Sequence, residues 1–376
     1  MPPQGATSAP TRLAIPTDSR TLPASARQLL SYQRRFGFNP HSLVSLSGEA
    51  LAWESSRVDA AVAYLPVGKT WLAAEPLSDS ADLAQATREF MNFARDSGAL
   101  PAFLPVTSRF ASLTGSLGLD CAPIGISPYF DLDSWKPSGR RAHALRSGVR
   151  QATRANVTVE EVSPDAWPVR EIEAVAQMWN ESRRAALFGW VFAPDRNFMG
   201  YKKLFVARDG EGKLAAFATA SPLPARNSFY LEDIQRDPGA PKGATDLLFA
   251  TAMNVLREQG AESVTLGTVP LAGMDSPDAL RRGMYPIVSK GLKLLARHGE
   301  SVYNFAGVQI FKSRLAPSWW EHEYAAAPSG GLMTGARVAF ATLRAVMPAG
   351  IFPTVFGPGR IGPNRSTYRN GARKHA

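Results

Sequence analysis

Apolar residues recur at three- and four-residue spacing in several stretches. SARQLLSYQRRFG (25–37), LAQATREFMNFARDSGA (83–99), EIEAVAQMWNESRRA (171–185) and ATDLLFATAMNVLREQG (244–260) are therefore predicted helices, and Gly37 and Gly260 close the first and last. Short apolar runs between them predict strands: a hairpin in DAAVAYLPVGKTWLAA, then PAFLPV and PYFDL. Further along, KLFVARD, KLAAFATASPL, SFYLEDI and ESVTLGTVPLAG read the same way. Helix and strand interleave in two units of similar size, separated by the linker-like WKPSGR. The expected fold class is α/β (α+β), with mixed central sheets flanked by helices and domains over 25–135 and 136–325.

The stretch SGRRAHALRSGVRQATRAN (138–156) adds charge to this pattern. On a helix, Arg140, His143, Arg146, Arg150 and Arg154 fall within about a third of the circumference, opposite Ala142, Leu145, Val149 and Ala152. Such a row suits a phosphate backbone or a lipid headgroup layer; the alternative is a solvated face. The whole chain has 376 residues and a formal charge of +10, which favours anionic partners. One cysteine, Cys121, excludes an internal disulfide, and the five histidines lack metal-ligand spacing. No Gly-x-Ser-x-Gly elbow or Walker loop is present, so a covalent hydrolase and a metal enzyme are disfavoured.

Candidate chemistry concentrates in YLEDIQRDPGAPKGATDLLF (230–249). Glu232 and Asp233 end a predicted strand, where they would point to opposite sides, and a carboxylate in a cleft can orient an amine or accept a proton. Arg236-x-x-Gly239-x-Pro241 partly matches the Arg/Gln-x-x-Gly-x-Gly/Ala loop with which GNAT acyltransferases hold a pyrophosphate. Proline at the last position lacks the N–H donor, which favours a donor other than acetyl coenzyme A. Gly243 leads into the helix, and Asp246 is expected to favour its N-terminus. Tyr303, Asn304 and Lys312 are placed around a later strand, where Lys312 could neutralise an oxyanion or bind phosphate.

The ends differ from the middle. Residues 1–24 are rich in Pro, Ser and Ala and read as a disordered leader, not a signal peptide. After Glu323 the chain has no acid. Within the expected basic tail 326–376, LMTGARVAFATLRAVM sets Arg337 and Arg344 apart from Met333, Phe340, Leu343 and Met347, as an interfacial helix would. Peripheral contact with an anionic membrane through 332–376 is expected; a helix docked on the protein's own core is the alternative. No run of about 20 apolar residues occurs, so no membrane-spanning helix is expected.

Together SGRRAHALRSGVRQATR, the 230–249 segment, VTLGTVPLAG and SVYNFAGVQIFKSRLAPSWWEHEY resemble the C-terminal catalytic domain of the phosphatidylglycerol lysyltransferase (aminoacyl-phosphatidylglycerol synthase) family. The resemblance covers roughly residues 25–324 and implies two tandem GNAT-like domains. It also implies transfer of an aminoacyl group from aminoacyl-tRNA, a co-substrate and not a cofactor, to a lipid hydroxyl. Glu232 and Asp233 would then hold the aminoacyl amine, Arg236 and Lys312 would meet phosphate or the reacting ester, and Arg146, Arg150 and Arg154 would hold tRNA or headgroups. Where the family commonly has Ala-Pro-Asn-Gly, this chain has Ala240, Pro241, Lys242 and Gly243. The multi-pass membrane domain of full-length synthases is not matched, so a stand-alone form acting from the cytoplasm at the inner membrane face is expected. Three alternatives are a Fem-type aminoacyltransferase, a coenzyme A dependent N-acyltransferase and a non-catalytic lipid- or RNA-binding module.

Overall fold

The computed structural model describes residues 24–43, 50–140, 142–182, 200–274 and 305–346. In the first half of the chain α1 (Ala24–Phe36) precedes the strands β1 (Leu51–Glu54), β2 (Ala60–Val67), β3 (Thr70–Ala73) and β4 (Leu77–Ser78). Next come α2 (Leu83–Asp96), β5 (Leu100–Val106), the single turn α3 (Ser108–Ala111) and the long β6 (Leu119–Asp131). The helical spacing in α2 buries Leu83, Ala86, Phe90 and Ala94. Phe90 lies fully inside, edge-on to Tyr64 and Phe103, and burial of a side chain of that size contributes about 1.5–3 kcal/mol.

The second half opens with α4 (His143–Arg154), β7 (Thr158–Val162) and α5 (Val169–Glu181). It continues through β8 (Lys203–Arg208), β9 (Leu214–Leu223), β10 (Ser228–Arg236), α6 (Ala244–Glu258), β11 (Ser263–Thr265) and β12 (Val269–Pro270). The chain then re-enters the described residues at α7 (Phe305–Ser313), followed by β13 (Trp319–Pro328) and α8 (Gly331–Val346). α4 buries Leu145 and Ala152 as its pattern requires. Arg140 does not join its row: it sits in the turn ahead of the helix, which starts only at His143. α7 also corrects an expectation, because Lys312 lies on a helix and not a strand. Val308, Phe311 and Leu315 follow a three-to-four spacing, with Phe311 and Leu315 packed in the core.

All these strands belong to one sheet in the order β1-β2-β3-β5-β13-β6-β11-β10-β9-β8-β7, with β4 on β2 and β12 on β6. Two pairs are parallel, β3 with β5 and β10 with β11. Each is joined through one helix, α2 in the first and α6 in the second. The sheet runs through both expected units: β6 pairs with β11, and β13 returns between β5 and β6. The expected leader lies outside the described residues up to residue 23, and so does the tail from 347 on. α8 rests on β3 and β13 through Ala341 and leaves Leu332, Met333 and Phe340 exposed. Among the described residues no helix is long and apolar enough to cross a membrane.

Candidate active site

β10 follows β9 in regular antiparallel register down to Glu232 opposite Thr219, and the next pair is Gln235 opposite Phe217. Three steps on one strand against two on the other make a β-bulge. Asp233 takes the extra position with φ of 51°, a left-handed conformation that aspartate tolerates better than most residues. The alternation expected from the sequence is thereby broken. Instead of pointing to opposite sides, both acids reach Lys202, just ahead of β8: Nζ lies 2.9 Å from Glu232 and 3.7 Å from Asp233. Ser221 Oγ donates to Glu232, and Thr219 Oγ1 donates to Asp233 Oδ2 at 2.7 Å. Burial, reinforced by the charge of Asp233 and opposed by Lys202, raises the Glu232 pKa above the ordinary carboxylate range.

Beyond the bulge the strand ends at exposed Arg236 and turns toward α6. The donors of this turn are largely used within it. Gly239 N–H donates to Asp237 Oδ1 at 2.8 Å and Ala240 N–H to the Asp237 carbonyl at 3.0 Å, while Pro241 has none to give. Hydrogen bonding from Lys213 is the main cause that holds the Asp237 carboxyl below its ordinary pKa. Gly243 has φ of 85°, and a Cβ there would come within 2.0 Å of the Gly148 carbonyl oxygen on α4. Only glycine lets α4 sit this close to the start of α6. Asp246 is the acid in the first turn of α6, as expected. It accepts from Arg314 Nη2 at 2.9 Å, and burial raises its pKa against the pull of that guanidinium.

The pairing of β10 with β11 ends at Tyr230 and Thr265. Lys312 holds the chain just beyond β11. Its Nζ donates to the carbonyls of Leu266, Gly267 and Thr268 at 2.8, 2.8 and 3.0 Å, which matches the three N–H bonds of an ammonium. Burial of that headgroup pulls its pKa down to about 7, against the field of Glu323. Lys312 is therefore engaged with backbone at the end of β11, not with Glu232 and Asp233.

Glu323 of β13 belongs to a second buried cluster that the sequence did not suggest. It accepts from Ser127 and Thr268, and its Oε2 lies 3.2 Å from His41 Nε2. Burial works against the charged form, but His41 and the two hydroxyls outweigh it and lower the pKa. His41 comes from the loop after α1 and packs edge-on to Tyr230, so the first half of the chain reaches the end of the β10–β11 pairing in the second.

Of the basic row, Arg150 and Arg154 are exposed along α4, whereas half-buried Arg146 donates to the Pro137 carbonyl at 2.9 Å. Tyr303 and Asn304 lie outside the described residues. An open cleft of about 370 Å³ bordered by Phe38, Arg226 and Trp319 lies at the other end of β10, away from the acids. Among the described residues no three His, Cys, Asp or Glu side chains cluster as metal ligands would. Sequence reading missed Lys202, Arg314, His41 and Glu323. A doublet Lys202-Lys203 opening an apolar strand was the one local signal, since a lysine that enters a sheet is forced to find a carboxylate.

A mixed sheet flanked by helices, with two parallel helix crossovers and a bulge in β10, defines a GNAT-like fold. The chain belongs to the family described as phosphatidylglycerol lysyltransferase, C-terminal, whose model matches residues 33–327. It is 21% identical over 300 residues to the phosphatidylglycerol lysyltransferase of Bacillus subtilis (strain 168), an alignment covering 79% of this chain and 34% of that protein. The chain thus spans about a third of the length of the curated relatives it matches. Among solved structures, L-PGS from Bacillus licheniformis superposes with a TM-score of 0.70 at 19% identity, covering 84% of this chain and 95% of that one. The C-terminal domain of an Agrobacterium fabrum protein assigned as a lysylphosphatidylglycerol synthetase gives 0.69 at 24% identity, covering 90% and 98%.

Proposed function

We propose that this chain is an acyltransferase that moves an aminoacyl group from aminoacyl-tRNA to the hydroxyl of a phosphatidylglycerol-like lipid. The observation that carries the donor is the turn before α6. In a coenzyme A dependent transferase the amides of this turn hold a pyrophosphate, but here those of Gly239 and Ala240 are spent on Asp237 and Pro241 offers none. The basic face of Arg150 and Arg154 on α4, which packs directly against that turn, suits a polynucleotide phosphate backbone instead. Asp233, with Glu232 behind it, would hold the α-ammonium of the aminoacyl group. The lipid hydroxyl then attacks the ester carbonyl, its proton ends on the departing ribose hydroxyl, and one ester replaces another. No further activation is needed, so acceleration rests on positioning and on stabilising the oxyanion.

Acceptor and location rest on the relatives' names and on α8. That helix presents Leu332, Met333 and Phe340 beside exposed Arg337 and Arg344, a pattern suited to the boundary of an anionic leaflet. Expression of the chain in a host without such an enzyme is expected to produce a new ninhydrin-positive phospholipid in lipid extracts. A host that gains no such lipid but gains an aminoacylated cell-wall precursor would replace the lipid acceptor with a Fem-type one.

A further inference from the structure

The acids at the bulge come with their own cation. Lys202 is only 5% exposed, and its Nζ is closer to Glu232 than to Asp233. The carboxylates differ accordingly, since the Glu232 side chain is 6% exposed and that of Asp233 13%. Glu232 is enclosed with Lys202 and the Ser221 hydroxyl, while Asp233 keeps the more open side and one hydroxyl partner, Thr219. The partners that β9 contributes here, Thr219 and Ser221, are uncharged. Among the described residues, two carboxylates and one ammonium leave at most one net negative charge at this largely buried cluster.

We propose that Lys202 is a built-in counter-ion that selects the donor: it takes up Glu232 and leaves Asp233 for one ammonium, so the transferred aminoacyl group has an uncharged side chain. This rests on the aminoacyl transfer proposed above and narrows it. The single α-ammonium of an alanyl-type group neutralises the site. A lysyl group brings a second ammonium and leaves excess positive charge where solvent cannot screen it, and like charges in such a place repel strongly. Without Lys202 the two acids would stand ready for two cations, the pattern suited to a lysyl group.

The test uses the purified full chain, phosphatidylglycerol vesicles and tRNA charged with labelled alanine or lysine, read as the ratio of kcat/KM for the two donors. The wild-type ratio is expected to favour alanine by about tenfold or more, the change that 1.4 kcal/mol of discrimination gives. Lys202→Met is expected to shift the ratio toward lysine by a similar factor, and Lys202→Arg to keep the wild-type preference. A structural role alone would change both donors by the same factor. Equal or better use of lysine by the wild type, or an unchanged ratio in a folded Lys202→Met, overturns the proposal while leaving transfer itself intact. If Lys202→Met does not fold, the wild-type ratio decides. Absence of transfer from every charged tRNA overturns both readings.

Discussion

In the first crossover, β3–α2–β5, the acid that follows the strand is Glu75. It is closed off on all sides: Arg109 Nη2 at 2.8 Å, the Thr107 amide at 2.8 Å and the Thr107 hydroxyl at 3.1 Å. The helix that comes next has Asp82 at its N-cap, with Asp79 just before it, so its N-terminus already carries negative charge. In the second crossover, β10–α6–β11, the acids sit on a bulge against a lysine, Asp233 retains some exposure, and the approach to the helix carries Arg236 and Lys242. One frame thus carries a sealed strut in one half and, in the other, a buried acid–lysine cluster with a basic turn beside it as the candidate site. The local charge and the extra residue in β10 make the difference, because topology alone is shared.

The comparison can be broken most sharply by exchanging one acid in each half. Asp233→Asn is expected to lower kcat/KM for lipid aminoacylation by about 100-fold or more, in the range of losing one charge-orienting contact in a site, with thermal unfolding little changed. Glu75→Gln should do the reverse. It leaves half-buried Arg109 beside a neutral partner at a cost of about 1–3 kcal/mol, read by denaturant titration, while the protein that remains folded transfers at close to the wild-type rate.

Glycines give the next contrast. Gly68 and Gly243 both have positive φ, but a Cβ at Gly68 meets nothing within 4 Å and one at Gly243 meets the Gly148 carbonyl. Gly68→Ala is expected to cost roughly 1 kcal/mol for the left-handed backbone. Gly243→Ala should cost clearly more and also impair transfer, because α4 must move off the start of α6.

Lys312 sharpens the account through pH. With a pKa near 7 in the folded chain and an ordinary value of 10.5, it binds fewer protons folded than unfolded between those limits. Its contribution to stability therefore rises with pH from about 7 to 10.5 and is flat below. Lys312→Met, followed by denaturation at several pH values, should lose that rise. The smallest effect belongs to α4: Arg150→Gln with Arg154→Gln is expected to weaken tRNA binding and reduce its salt dependence by between one and two units of log–log slope.

Much of the fold was legible in the sequence, because helical spacing marked α2, α4 and α6, and the Pro/Gly turn after Arg236 drew the eye to the candidate segment. What escaped had physical reasons. β13 reads WWEHEYAAAP, with Glu323 buried and three alanines of low strand propensity, and its placement between β5 and β6 is a long-range pairing that no local pattern encodes. The bulge at Asp233 adds one residue without any glycine or proline to mark it, so alternation predicted the wrong side. Lys202, His41 and Arg314 find their partners across 30, 282 and 68 residues of chain.

Reconstitution tests the central claim most directly: purified chain, phosphatidylglycerol vesicles and labelled aminoacyl-tRNA, with lipid-extractable label measured with and without ribonuclease. The account predicts label in the lipid phase that ribonuclease pretreatment abolishes and that added acetyl coenzyme A neither supports nor inhibits. Lipid label that resists ribonuclease, or acyl transfer from acetyl coenzyme A with none from tRNA, would contradict it.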